Sequence, residues 1–225
     1  DVEPFTDARV RKAVRMAVDR QALADLVTGG AAEITCDHPV MKTDQYRADI
    51  SCPQDIAGAK KLLADAGFPN GIEFTVYPSS LEPTWTPIAE VVQQQVAAAG
   101  IKVNIKVSPS DGYWSDVWMK KDVAMTRWNQ RPADQALNEI YHSGAKWNES
   151  YYKNSKFDSI LESARKELDF EKRKAIYQSA QNMLWEDSGT LIPYTVSKLI
   201  VTTARVNNLD EVENWSVRWH KISVN

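Results

Sequence analysis

Between residues 71 and 109 the chain reads GIEFTVYP, then a stretch carrying Ile88, Val91, Val92 and Val96 at helical spacing, then GIKVNIKVSP. The two outer stretches alternate apolar and polar with period two between glycine and proline boundaries, so each predicts a strand. The middle one predicts a helix over 87–99 that Gly100 ends. Two strands joined by one helix through short connections pair in parallel with a right-handed crossover. This unit commits the chain to an α/β core, and in open sheets of that kind ligands sit beyond the carboxyl ends of the strands. A helix over 110–120 and a third strand, VAMTRW at 123–128, extend the pattern and place Trp128 at a strand end, with 129–134 as the loop beyond it.

The flanking sequence is mostly helical. One helix is expected from Asp7 to Val27, capped by Asp7 and stopped at Gly29-Gly30. Another is expected from Asp55, with Ile56, Ala59, Leu62 and Leu63 on one face and Gly67 as terminator. A short helix over 134–141 follows the loop, then the polar, aromatic-rich connection SGAKWNESYYKNSKFD. Two more helices begin at Phe157, separated at 168–170, where Asp169 caps the second. From about residue 192 the character changes. LIPYTVSKLIVTTARV and NWSVRWHKISVN are rich in β-branched residues and have no helical period, so a boundary is placed near Leu191, dividing 1–191 from a strand-rich tail, 192–225.

Composition narrows the function classes. In 225 residues, 43% hydrophobic content suffices for a true core. The 27 basic and 30 acidic side chains are scattered and sum to −3, so no nucleic-acid partner is expected. No window reaches the roughly 18 apolar residues of a membrane span, and the first residues lack the apolar region of a signal peptide. Cys36 and Cys52 flank a polar loop. A bridge there would contribute about 3 kcal/mol in an oxidising compartment, the alternative being two free thiols. Zinc is disfavoured, because only His38 lies nearby. Neither His142 and His220 nor the Glu186-Asp187 pair forms a catalytic or metal-ligating constellation, and no phosphate loop is present, so neither enzyme activity nor a cofactor is expected. Eight tryptophans raise a carbohydrate-binding module as an alternative, against which the helical content of the first 187 residues argues.

Three stretches carry a resemblance: PFTDARVRKAVRMAVDRQAL, DIAGAKKLLADAGFPNG and KFDSILESARKELDFEKRKAIYQSAQNMLWEDSGTLIPY. In this order and separation the chain resembles the C-terminal half of the family 5 extracellular solute-binding proteins of ABC importers. The resemblance implies one lobe of a two-lobe fold, with the tail from about Ile192 returning to the other lobe. It also implies a small-molecule or peptide solute, a membrane permease as partner, and a periplasmic or extracellular location. A receptor-signalling role without transport is the related alternative. In that family the solute contacts come from a tryptophan at a strand end, the loop after it and an aromatic on the preceding helix. By resemblance the candidates are Trp128, Asn129, Arg131 and Asp134, with Trp114, Tyr113 or Trp118 before them and Trp147 and Asn148 at the rim. Peptide-binding relatives place an aspartate three residues after the tryptophan, where this chain has Arg131. A guanidinium donates in a rigid fork and repels an ammonium, so a carboxylate- or phosphate-bearing solute, such as a sugar or amino-acid derivative, is expected in place of a simple peptide, unless Asp134 takes the acid's place.

Overall fold

The computed structural model describes residues 2–197, 200–209, 212–213, 216–217 and 219–225. It opens with two helices, α1 (Ala8–Met16) and α2 (Arg20–Thr28), where the apolar spacing predicts one. The break has a local cause. The Asp19 carboxylate accepts the Ala22 N–H and so caps a new start. The Gln95 amide accepts the Asp19 N–H and donates to the Asp19 carbonyl, satisfying from outside the backbone groups that a continuous helix would have paired.

Strand β1 (Ala32–Ile34) and α3 (Ile56–Asp65) follow, with Asp55 capping α3 as expected. Next come β2 (Ile72–Val76), α4 (Trp85–Ala97) and β3 (Ile101–Ile105). The two strands pair in parallel, Ile72 opposite Ile101 and Val76 opposite Ile105. A Cβ at Gly71, whose φ is 89°, would lie 1.9 Å from the Gly100 carbonyl oxygen, so only glycine lets the two strands start side by side. Val10, Ala13, Leu63, Val96 and Ile101 interlock behind the pair as the first core.

The pattern then departs from expectation. Of the helix expected over 110–120 only α5 (Tyr113–Asp116) forms, and the third strand reduces to one parallel bridge between Tyr77 and Ala124. The reason is Tyr113. Its hydroxyl accepts the Met125 N–H at 2.9 Å and donates toward the Tyr77 and Met125 carbonyls, at 2.9 and 2.8 Å. A side chain thereby occupies the backbone groups a strand ladder would use. Trp128 consequently lies in an irregular loop, four residues past the bridge.

Helices α6 (Ala133–Tyr141), α7 (Ser155–Lys166) and α8 (Phe170–Asp187) enclose a second core of Leu137, Tyr141, Phe157, Leu161 and Leu184. Asn154 and Asp169 cap the last two. Arg11 pairs with Asp187 and Lys12 with Glu186, so the two acids at the end of α8 dock it on α1. In the tail, β4 (Tyr194–Val196) pairs antiparallel with β1. Of the short strands β5 (Val206–Asn207), β6 (Val212–Glu213), β7 (Ser216–Val217) and β8 (Ser223–Val224), β5 pairs with β8 and β6 with β7. The strand-like stretches read at 191–206 and 214–225 include Lys198, Leu199, Asn214, Trp215 and Arg218, which lie outside the described residues.

Cys36 and Cys52 are bridged. Beside the bridge, buried Asp37 accepts from the Arg20 guanidinium and, at 2.9 Å, from the Ile192 N–H. Arg20 also donates to the carbonyls of Arg15 at 2.9 Å and Cys52 at 3.2 Å. Burial pushes the Asp37 carboxyl up, and the Arg20 and Arg15 charges oppose it. Removing one partner of such a pair costs about 3–5 kcal/mol, because the other charge stays buried, against about 3 kcal/mol for the bridge itself.

His38, next in the chain, is fully buried. Its ring nitrogens have no hydrogen-bond partner among the described residues, and burial, with Arg47 nearby, lowers its pKa to about 3. An unfolded chain protonates this ring near pH 6.5. Between those values the unfolded state binds a proton that the folded state refuses, so stability falls as pH drops through the window. Urea unfolding at pH 7, 6 and 5 should show this group contributing a loss of about 1 kcal/mol per unit below pH 6.5. His38→Gln should remove that contribution, and an unchanged slope would contradict it.

Candidate functional site

An open concavity of about 2030 Å³ lies against the parallel pair. Phe74, Val76, Ile88 and Val103 belong to its apolar lining, which also includes the 118–131 segment and residues of 187–196. Trp128, Asn129 and Arg131 all line it. A smaller recess of about 220 Å³ opens from the same loop, between Trp118, Trp128, Trp147, Arg127, Asn129 and Arg131.

The loop's geometry is set by charge and stacking. The Arg131 guanidinium lies over the Trp128 indole, 4.9 Å from its ring centroid. Its Nε donates to Glu139 at 2.8 Å and its Nη1 to the Asn129 carbonyl at 3.1 Å. Glu139 thus partly offsets the cation, and the stack fixes its direction. Trp147, largely exposed, tilts against the other side of the recess, 5.8 Å from Trp128.

Glu149, a residue the sequence reading did not single out, lies beneath the aromatic side chains. Its two oxygens accept the indole N–H groups of Trp118 at 2.6 Å and Trp128 at 3.0 Å. Burial pushes its carboxyl up, opposed by these indoles and by Thr126. The chain offers a weak signal for it: an acid set between Trp147 and Tyr151-Tyr152 in a stretch without periodicity. Asn148, expected at the rim, is instead buried. Its amide donates to the Tyr152 and His142 carbonyls and its oxygen accepts the Tyr152 N–H, so it shapes the turn that presents Glu149.

Other expected residues are placed elsewhere. Tyr113 is buried among Trp85 and Val117, and its hydroxyl is engaged by backbone. Trp114 is exposed, stacked edge-on against Trp85, Tyr113 and Trp118, and does not line the concavity. Trp118, the substitute, does. Asp134 faces away: it accepts from Arg165 Nε at 2.8 Å and Nη2 at 2.9 Å and from the Tyr177 hydroxyl at 2.8 Å, joining α6 to α7 and α8. The acid therefore does not stand in for Arg131 at the concavity. Among the described residues no group of three or more acidic, His or Cys side chains could hold a metal ion.

Comparison with known proteins follows the same outline. Residues 1–180 match the family model for bacterial extracellular solute-binding proteins, family 5. The glutathione-binding protein of Salmonella choleraesuis is 30% identical over 210 residues, which cover 88% of this chain and 41% of that protein. This chain therefore spans less than half the length of that relative. Among solved structures, the oligopeptide-binding protein of Bacillus subtilis in complex with a nonapeptide superposes with a TM-score of 0.83 at 22% identity, over 100% of this chain and 49% of that one. A protein of A. tumefaciens R10 in complex with mannopinic acid gives 0.71 at 27% identity, over 82% and 39%.

Asp134 is held below the ordinary aspartate range: burial opposes its ionisation, but the hydrogen bonds from Arg165 and Tyr177 and the Arg165 charge outweigh it. Its contribution to stability is therefore complete above the unfolded-state value near pH 3.8 and is lost as pH falls through the lower folded-state value. Asp134→Asn should lower the thermal midpoint by a few degrees at pH 7, with the difference vanishing in acid, and should leave solute affinity unchanged. A loss of affinity at unchanged stability would place the acid in the site after all.

Proposed function

The chain belongs to the family 5 bacterial extracellular solute-binding proteins, and from that premise we propose that it forms the solute-facing wall of the binding component of an ABC importer, outside the cytoplasmic membrane. Several observations support this reading: the family match over residues 1–180, the open concavity, and a disulfide suited to an oxidising compartment. Capture follows a two-lobe scheme, in which solute settles on one wall, closure buries it, and the closed form docks on the permease.

The solute is a small carboxylate-bearing molecule, either peptide-like or an amino-acid derivative. One observation carries this choice: Arg131 lines the concavity, stacked on Trp128, at the position where the family resemblance implies an aspartate in peptide binders. Two unit charges 4 Å apart at an effective dielectric of 20 interact by about 4 kcal/mol. The sign of that interaction favours a carboxylate and opposes a free ammonium. Glu139 reduces the magnitude but leaves donors of the guanidinium to face a ligand. The Salmonella relative's named solute, glutathione, and the mannopinic acid of the A. tumefaciens structure each carry more carboxylates than ammonium groups, so each offers a carboxylate beyond the one its own ammonium offsets.

The test is calorimetry and thermal shift on the full-length protein with reduced glutathione and mannopinic acid, which carry net negative charge, and with an unmodified tetrapeptide of uncharged side chains, whose termini cancel. Glutathione or mannopinic acid should stabilise it, and Arg131→Ala should weaken that binding about tenfold or more. Stabilisation by the tetrapeptide alone, with Arg131→Ala neutral, would overturn the proposed solute class.

A further inference from the structure

The indoles of Trp118 and Trp128 come from separate segments, one just after α5 and the other in the loop past the Tyr77–Ala124 bridge, yet both N–H groups end on one side chain. Indole nitrogen is a donor only, and an ionised carboxylate accepts at both oxygens, so Glu149 can take one such donor on each oxygen, with Thr126 as a further donor. Each ring has one polar atom, and that atom is already used. What the two indoles turn toward the concavity is therefore apolar face and edge.

We propose that Glu149 is the positioning residue of this wall. It holds Trp118 and Trp128 in fixed orientations and, by occupying both N–H groups, makes the wall select solutes by flat or aliphatic surface instead of by acceptors offered to an indole. Polar recognition then falls to other groups of the lining, Arg131 and Asn129 among them. The inference rests on the reading of the concavity as a solute wall. Three features show that the arrangement is built. The buried Asn148 amide fixes the turn carrying Glu149 through the backbone of His142 and Tyr152. The Tyr151 hydroxyl ties the same turn to the Met119 carbonyl at 2.8 Å, next to Trp118. Arg131, stacked on Trp128, is held in turn by Glu139. Rings held this way lose little freedom when a solute arrives, which is the benefit of preorganisation.

Glu149→Gln keeps the size but replaces one acceptor with an NH₂ group, which sets a donor against an indole donor. In the full-length protein the indole N–H signals of Trp118 and Trp128 in ¹H–¹⁵N spectra should both shift, and affinity for reduced glutathione or mannopinic acid should fall about ten- to a hundredfold, with the unliganded thermal midpoint within a few degrees of wild type. Adding Trp118→Phe to that variant removes the clashing donor and should restore part of the affinity, a coupling that general loosening of the fold would not produce. Unmoved indole signals, or moved signals with unchanged affinity, would overturn the proposal. If neither probe binds wild type, the proposed solute class fails, and the indole signals alone decide whether Glu149 holds the rings. If Glu149→Gln does not fold, Trp118→Phe severs the same link from the other side and is read at the Trp128 signal.

Discussion

Asp37 is enclosed by protein and accepts hydrogen bonds from Arg20 at the start of α2 and from the backbone of Ile192 ahead of β4. Through Arg20 it reaches the end of α1 at the Arg15 carbonyl and the disulfide loop at the Cys52 carbonyl. Segments far apart in the chain thus converge on one carboxylate. A buried charge is tolerated only when it is paired and hydrogen-bonded, so these segments have little freedom to separate. The Trp185 ring, 5.5 Å from the Arg15 guanidinium and 5.6 Å from that of Arg20, shields the cations from the other side. Residues of the 187–196 segment, tied to this network at Ile192, line the concavity together with residues of the parallel strands.

The site itself obeys a different economy. The framework around the candidate site is apolar and interlocked, whereas Trp128, Asn129 and Arg131 stand on a loop without regular structure, near side chains that act as backbone partners. Tyr113 does this where a third strand was expected, and Asn148 does it for the turn that presents Glu149. Loops held in this manner can carry aromatic faces and a guanidinium at fixed angles without a ladder of their own.

Most of the helices and the parallel strand pair were legible in the sequence because their signals are local, whereas β1 was not expected. The period-two strands, the caps at Asp7, Asp55 and Asp169, and the Gly71 and Gly100 boundaries each follow from a few adjacent residues. The apolar spacing could not show that α1 and α2 are separate, since the break depends on Gln95, remote in sequence. The candidate site was legible in part. Trp128, Asn129 and Arg131 came through a family pattern and do line the concavity. Asp134 and Tyr113 have the right residue types but are claimed by Arg165 and Tyr177 and by the Met125 backbone, long-range partners that no spacing rule reveals. Glu149 was missed for the same reason, because its role exists only where two distant indoles meet.

A crystal structure of the full-length protein with reduced glutathione bound would test the central claim most directly. The account predicts solute carbons within about 4 Å of the Trp128 ring face, a solute carboxylate on Arg131, and both indole N–H groups still on Glu149. A solute touching neither Trp118 nor Trp128, or one accepting the Trp128 N–H in place of Glu149, would contradict it.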